Sequence, residues 1–125
     1  PYRLISIALL PSDRKVLHQR IQHRFETMLE MGLIEEVRSI LSQFSLTLEM
    51  PSMRCVGYRQ VYQYLQGQLS LMELREKGAA ATRQLAKRQL TWLRSMEQLT
   101  EFDCLADNLL EQAMYYLQTM LNTND

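Results

Sequence analysis

The sequence predicts a mostly helical α/β fold, with one buried strand near the N-terminus and five helices. Residues 2–10 are rich in Leu and Ile and read as a strand that is buried on both faces. Most of the remaining chain repeats apolar residues three and four positions apart, which is typical of amphipathic helices. With 125 residues and 46% hydrophobic content, the chain is long enough for one domain with a modest core.

Composition excludes several classes of protein. The formal net charge is zero, so any recognition of phosphate must come from local clusters of basic residues. Cys55 and Cys104 match no metal-ligand spacing and no disulfide framework, which fits reduced thiols in the cytoplasm. No apolar run has the length of a membrane span, and no basic-then-apolar signal sequence is present. We therefore expect a cytoplasmic protein without membrane contact.

The predicted strand starts the chain. Pro1 stands at the first position in place of Met, and residues 2–10 follow it directly. A buried strand needs neighbours on both edges, and the rest of the chain offers few strand candidates. We therefore expect the chain to begin in mid-domain.

The first helix is predicted to begin after Ser12 and to end at Gly32, two residue types that are common at helix ends. Pro11 closes the strand, Ser12 is the expected N-cap, and Gly32 ends the helix. His18 and His23 are five residues apart, so they do not share a face and make a poor pair of metal ligands. The predicted inward face consists of Leu17, Ile21, Phe25, Met28 and Leu29.

A second helix is predicted from residue 33 to Phe44. Glu35 and Glu36 fall on its outer face, where paired carboxylates are usually solvated, and we assign them no catalytic role. Residues 45–50 read as a loop that ends at Pro51.

The segment 51–60 interleaves apolar and basic residues around Gly57. Helical spacing begins at Tyr58, so Gly57 would lie at a helix start, where unpaired N–H groups bind anions. Arg54 and Arg59 flank this point and Tyr58 offers a ring for stacking, a combination that suits single-stranded or distorted nucleic acid. A structural interpretation stays open, in which Gly57 relieves a tight turn and Tyr58 belongs to the core.

A long helix follows, and a capping box of Ser70 and Glu73 begins it. Between Glu76 and Glu97 five basic residues occur without a single carboxylate. Solvated helix faces usually alternate in charge, so this arc indicates a polyanionic partner, with a solvated face as the alternative. The polar and basic side of the helix carries Arg83, Gln84, Lys87, Arg88, Thr91 and Arg94. The apolar side carries Leu85, Ala86, Trp92 and Leu93, extended by Ala79 and Met96.

The end of the chain is predicted to hold a short strand and one more helix. Residues 102–106 read as the strand, and Asn108 with Glu111 would cap the helix. The expected apolar face of this helix is Leu109, Leu110, Ala113, Met114, Leu117 and Leu121. No nucleophile–base arrangement, metal cluster or Gly-rich phosphate loop is found, so the residues by themselves predict no enzyme.

Two motifs, in this order, resemble the bacterial tRNA dimethylallyltransferases. The first is Arg54-Cys55-Val56-Gly57-Tyr58-Arg59-Gln60, and the second is Thr82-Arg83-Gln84-Leu85-Ala86-Lys87-Arg88-Gln89 with Thr91-Trp92-Leu93-Arg94. Leu17-His18-Gln19-Arg20-Ile21, Arg24-Phe25, and Gly32 with Glu36-Val37-Arg38 are also similar. The resemblance runs in register from about Pro1 to Arg94, and from Ser95 onward it says little.

The resemblance implies a fold, a reaction and its partners. The expected fold is a P-loop-type α/β domain with a helical insertion. The reaction moves a dimethylallyl group from its diphosphate to the exocyclic amine of the adenosine 3′ of the anticodon. Mg²⁺ on the diphosphate and a carboxylate base serve it, and the adenosine is flipped into a channel. The expected partners are the tRNA anticodon stem-loop and dimethylallyl diphosphate.

The resemblance also implies roles for particular residues. Arg24 matches an arginine that binds pyrophosphate. The segment that contacts tRNA is Arg54, Cys55, Val56, Gly57, Tyr58 and Arg59. A weaker assignment to the channel or the RNA backbone covers Gln84, Lys87, Arg88 and Arg94.

The resemblance assigns no catalytic residue and no metal ligand to this chain, because the phosphate loop, the base carboxylate and the insertion would precede Pro1. Residues 1–125 are thus expected to form a single C-terminal portion of the catalytic domain, monomeric and inactive alone. Two alternatives remain: a non-catalytic RNA-binding helical module, and a helical protein-interaction domain that uses the last helix.

Overall fold

The computed structural model describes residues 2–123, which include the whole predicted strand 2–10. Two compact units are present. One joins the described residues up to Leu17 with those from Gln89 onward, and the other is His18–Arg88. The elements in chain order are β1 (Ser6–Leu10), α1 (Arg14–Glu30), α2 (Leu33–Gln43), a 3₁₀ helix (Pro51–Arg54), α3 (Tyr58–Leu65), α4 (Leu71–Ser95), β2 (Leu99–Asp103) and α5 (Leu109–Asn122). The predicted mostly helical fold with five α-helices is confirmed for the described part.

The first unit is built on a parallel pair of strands. β1 and β2 pair in register from Ser6 opposite Leu99 to Leu10 opposite Asp103. α5 packs on β2, where the Thr100 hydroxyl donates to the Tyr116 hydroxyl at 2.8 Å. The Phe102 and Tyr116 rings meet edge to face, 5.7 Å between centroids.

The second unit holds the main hydrophobic core. Its fully enclosed side chains come from α1, α2, the 3₁₀ helix, α3 and α4, so every element of the unit contributes to one cluster. Burying these side chains removes apolar surface from water, which is the main favourable term in folding. The cluster consists of Phe25, Leu33, Val37, Met53, Val61 and Leu74.

Close packing of α1 on α4 depends on Gly78. A Cβ at this position would lie 2.1 Å from Cζ of Phe25, so the ring occupies the space that any other side chain would need. Arg75 and Glu26 add a partly exposed ion pair at 3.2 Å between the same helices. Exposed pairs contribute little, so this ion pair adds little to the Phe25–Gly78 contact.

Both strands differ from their predictions. β1 begins at Ser6, and of its residues Ala8 alone is buried while Leu9 is 52% exposed, so the predicted fully buried strand is wrong within the described residues. There β1 is hydrogen-bonded to β2 only, which leaves part of its surface uncovered. The closing strand is β2 at Leu99–Asp103 instead of 102–106, because the chain turns at Asp103.

Two helix caps also differ. Asp13 caps α1 in place of Ser12: its Oδ1 accepts from the Lys15 N–H at 2.8 Å, and the Ser12 N–H donates to Asp103 instead. Asn108 precedes α5 but makes no side-chain capping bond, because its Oδ1 accepts from the Gln112 side chain at 2.9 Å. The capping box that begins α4 is confirmed by the Ser70 and Glu73 bonds at 3.1 and 3.2 Å.

The predicted apolar faces of α4 and α5 are confirmed in part: Ala79 is buried and Leu85, Ala86, Leu93, Leu109, Ala113 and Leu117 are half-buried. Trp92 is 69% exposed, since Leu93 takes the half-buried position of that turn. On α5, Tyr116 faces β2 through its contacts with Thr100 and Phe102. The predicted inward residues that are exposed instead are Leu110, Met114 and Leu121, and Met96 after α4 is exposed as well.

Candidate nucleic-acid interface

The segment from Met53 to Gln60 is fixed at both ends by burial. Met53, in the 3₁₀ helix, is 1% exposed and belongs to the core of the second unit. Gln60, in the first turn of α3, is 8% exposed, and its side-chain oxygen accepts from the Gly57 N–H at 2.7 Å. These two anchors hold the intervening backbone in one conformation, so its outward side chains are presented from a fixed base.

Gly57 is required at this corner by its backbone angles. Its φ is +97° and its ψ is −61°, a strained region that L residues rarely adopt. No atom lies within 4 Å of a Cβ built there, so space is available and conformation alone demands glycine. Gly57 makes a tight turn and immediately precedes α3, so its predicted place at a helix start is confirmed, and the binding of an anion there stays a prediction.

Some backbone N–H groups near the start of α3 that were predicted to be free are hydrogen-bonded within the segment. The Gly57 N–H donates to Gln60 and the Arg59 N–H donates to the Cys55 carbonyl at 3.1 Å. An anion at this corner would therefore depend mainly on side chains, which shifts the weight to the two arginines.

Arg54 and Arg59 are both exposed on either side of Gly57. Among the described residues neither guanidinium takes part in an ion pair, whereas Arg38 pairs with Glu35 and Arg75 pairs with Glu26. Cys55 is exposed between them with its thiol 3.7 Å from the Pro51 carbonyl oxygen, and Val56 is half-buried. The structure therefore brings together the six residues 54–59 as one basic surface turn.

Tyr58 is less available for stacking than its position in the sequence indicates. Its ring is half-buried against the core of the second unit, and its hydroxyl donates to the Glu36 carboxylate. That hydrogen bond, together with burial and the nearby negative charge, raises the pKa of Tyr58 above its usual range. The Tyr58 side chain stays partly exposed, so part of it is accessible to a ligand.

The basic face of α4 is confirmed as a surface. Gln84, Lys87 and Arg88 are exposed in the second unit, and Arg83 beside them is half-buried. Arg94, also exposed, falls in the other unit. Trp92 follows Arg88 by one helical turn and is also exposed. The sequence did not predict this exposure, because the position of Trp92 matches the spacing of the apolar stripe.

Arg24 lies on α1 between the buried residues Ile21 and Phe25 and is exposed. Within the described residues its guanidinium has no carboxylate partner, so its charge is available to an anion. No three His, Cys, Asp or Glu side chains of residues 2–123 are grouped to hold a metal ion.

Membrane insertion finds no support in the helices: none of those in the described part is both long and apolar enough to cross a bilayer.

The fold of this chain is similar to that of one class of solved proteins, the tRNA isopentenylpyrophosphate transferases. The full-length tRNA isopentenylpyrophosphate transferase of Bacillus halodurans matches with a TM-score of 0.84 and 31% identity, over 98% of this chain and 39% of that one. The corresponding transferase of Staphylococcus epidermidis matches with a TM-score of 0.80 and 29% identity, over 98% and 38%.

Sequence similarity narrows the class to one family. The family model described as IPP transferase matches residues 1–96, and the chain belongs to this family. A tRNA dimethylallyltransferase of Nitrosomonas eutropha is 62% identical over 118 residues, which are 94% of this chain and 37% of that protein. One of Nitrosospira multiformis is 58% identical over 98% of this chain. The chain thus spans little more than a third of these curated relatives, and the resemblance seen in the two motifs is confirmed.

Proposed function

We propose that this chain is the C-terminal part of a tRNA-modifying prenyltransferase. The reaction moves a dimethylallyl group from dimethylallyl diphosphate to the exocyclic amine of the adenosine 3′ of the anticodon. The observation that carries the proposal is the turn 54–59 in a member of the IPP transferase family. Arg54 and Arg59 are exposed there without an ion pair, and the turn is anchored by the buried residues Met53 and Gln60. Residues 1–125 would be one portion of the catalytic domain, in a monomeric cytoplasmic enzyme with a P-loop-type core.

In this proposal the turn 54–59 binds the tRNA anticodon stem-loop. Guanidinium groups on a rigid turn bind phosphate oxygens in bidentate geometry and lose little entropy in doing so. The exposed face of α4 adds contacts to the channel or the RNA backbone through Gln84, Lys87, Arg88 and Arg94. RNA binding would thus be polar and sensitive to salt.

Arg24 would bind the pyrophosphate group of the prenyl donor. The amine nitrogen of adenosine forms a bond to the terminal allylic carbon, the carbon–oxygen bond breaks, and pyrophosphate leaves with the electron pair. Negative charge grows on the leaving oxygen, and a nearby guanidinium stabilises this charge more in the transition state than in the ground state. The amine proton passes to the carboxylate base that the resemblance implies, and Mg²⁺ when bound would neutralise the diphosphate further.

A chimera tests the proposal directly. The matching 118 residues of the Nitrosomonas eutropha tRNA dimethylallyltransferase would be replaced by this chain, and modified adenosine in tRNA would be measured by mass spectrometry. We expect the chimera to transfer the group, and the isolated 125-residue chain to transfer none. Arg24→Ala should lower the rate by about 10²-fold or more, as the loss of one stabilising charge does elsewhere.

Arg20→Ala is the matched control, since Arg20 is exposed on α1 one turn earlier. A folded chimera without activity would contradict the proposed function. Equal rates for the Arg24 and Arg20 variants would contradict the role of Arg24. RNA binding without transfer would favour the non-catalytic RNA-binding module instead. Binding of a protein partner through α5, with no affinity for RNA, would favour the protein-interaction domain.

A further inference from the structure

Glu36 on α2 makes the one side-chain hydrogen bond that the structure shows between α2 and the turn 54–59. Its Oε1 accepts from the hydroxyl of Tyr58, the first residue of α3, across 22 residues of sequence. The neighbouring Glu35 instead pairs with Arg38 on its own helix. Two adjacent carboxylates of α2 thus serve different purposes, although the sequence pattern makes them look alike.

The position of Tyr58 makes this bond important for the turn. Tyr58 lies between Gly57, whose conformation is strained, and Arg59, whose guanidinium is exposed. Its ring packs against the core of the second unit, and its hydroxyl donates a hydrogen bond to the exposed Glu36 carboxylate. With the ring held at both ends, the backbone at Tyr58 and the starting direction of the Arg59 side chain are held as well.

We infer that Glu36 is a positioning residue for RNA binding, acting through Tyr58 on the turn 54–59. The inference rests on the proposed function, and the tRNA anticodon stem-loop is the ligand concerned. A carboxylate close to a phosphate-binding surface would repel RNA, so its presence there needs a compensating gain. A hydrogen bond to an ionised acceptor is stronger than one between neutral groups, and the gain is a preorganised turn.

The sign of the effect separates this role from simple electrostatics. Removal of an acidic residue near an RNA surface should tighten binding if charge alone matters. Removal of a positioning residue should weaken binding in spite of the lost repulsion. Glu35 and Glu36 are adjacent, exposed and equal in charge, so they form a matched pair for this comparison.

The experiment measures the affinity of the 125-residue chain for a fluorescent anticodon stem-loop RNA by anisotropy at fixed salt. We expect Glu36→Ala and Tyr58→Phe each to weaken binding about threefold to tenfold, the range that one lost hydrogen bond gives. The double variant should bind no more weakly than either single variant, because both break the same contact. Glu36→Gln keeps an acceptor and should stay close to the wild-type affinity, and Glu35→Ala should bind as tightly as wild type or more tightly.

Urea unfolding of each variant separates lost stability from lost positioning, since a purely structural role would leave the affinity of the folded fraction unchanged. If Glu36→Ala does not fold, Tyr58→Phe and Glu36→Gln decide by the same criterion. Wild-type affinity in Tyr58→Phe, or equal effects of the Glu35 and Glu36 variants, would overturn the inference and leave the proposed function in place. No RNA binding by the wild-type chain would contradict the proposed function, and the inference with it.

Discussion

Gly78 shows how one residue decides whether two helices can pack. Alanine is favoured over glycine inside a helix by about 1 kcal/mol, so propensity alone predicts that Gly78→Ala stabilises the chain. The added Cβ would lie 2.1 Å from the Phe25 ring, and overpacking of this kind costs about 1–3 kcal/mol. We expect a net loss of stability, measured as a lower free energy of unfolding in urea.

The matched control for Gly78→Ala is Glu76→Ala, an exposed position on the same helix, which should change stability by less than about 0.5 kcal/mol. Phe25→Leu should remove most of the penalty, so Gly78→Ala should cost less in that background. A more stable Gly78→Ala chain would show that α1 moves away from α4 at little cost.

Gly57 and Gly32 test whether the turn 54–59 depends on a glycine conformation. Both have positive φ, but Gly32 has a ψ of 26° near the left-handed helical region, whereas Gly57 has a ψ of −61° outside it. Asparagine tolerates the first conformation and not the second. We expect Gly57→Asn to cost about 1–3 kcal/mol of unfolding free energy and Gly32→Asn clearly less. Equal costs in urea unfolding would mean that the turn relaxes.

At the scale of elements, Ser70 should control the start of α4. Its hydroxyl oxygen accepts from the Glu73 N–H, and the Glu73 carboxylate accepts in return from the Ser70 N–H. Hydrogen bonding of the carboxylate to the backbone and then to the side chain of Ser70 holds the pKa of Glu73 below its usual range. Ser70→Ala should cost about 1 kcal/mol and speed amide exchange in the first turn of α4. Ser95→Ala, at the other end of the helix, should leave that turn unchanged, and equal exchange in both variants would argue against the cap.

Asp103 gives the first unit a dependence on pH. Hydrogen bonds from Ser12 and then from the Leu105 N–H lower the pKa of its carboxyl, with the Ser12 and Leu105 N–H groups 3.1 and 2.9 Å from Oδ1. Because the folded pKa is below the unfolded one, this stabilisation is present above the unfolded pKa. It is lost as the pH falls through the folded pKa. An NMR titration should give a midpoint for Asp103 below the usual range of an aspartate carboxyl, and a midpoint within or above that range would contradict the contact.

The helices were largely predictable from the sequence because their signals are local. The capping box at Ser70, the apolar period of α2 and the glycine before Tyr58 each involve neighbouring residues. The strand β2 was misplaced because its bounds depend on pairing with β1, some ninety residues away, which no local pattern encodes. The same reason explains Glu36: its partner Tyr58 is 22 residues distant, so the sequence showed only a solvated carboxylate.

At the scale of the whole molecule, the neutral net charge conceals an uneven distribution of basic residues. In the second unit Arg38 and Arg75 form ion pairs with carboxylates. Other arginines of this unit are exposed, among them Arg24, Arg54, Arg59 and Arg88. For Arg88 the sequence predicted this exposure, since no carboxylate occurs between Glu76 and Glu97. The buried supports of the turn, Met53 and Gln60, could not be predicted, because their burial depends on the packing of the whole second unit.

The salt dependence of RNA binding tests the central claim that the turn 54–59 binds tRNA phosphates. Affinity for an anticodon stem-loop would be measured across salt concentrations for the wild type and for two double variants. One combines Arg54→Ala with Arg59→Ala. The control combines Arg38→Ala with Arg75→Ala and removes the same number of positive charges. We expect wild type and control to weaken steeply and alike. The Arg54/Arg59 variant should bind more weakly, with a slope of log K against log salt shallower by about 1–2. Identical slopes for the two double variants, or affinity independent of salt, would contradict the claim.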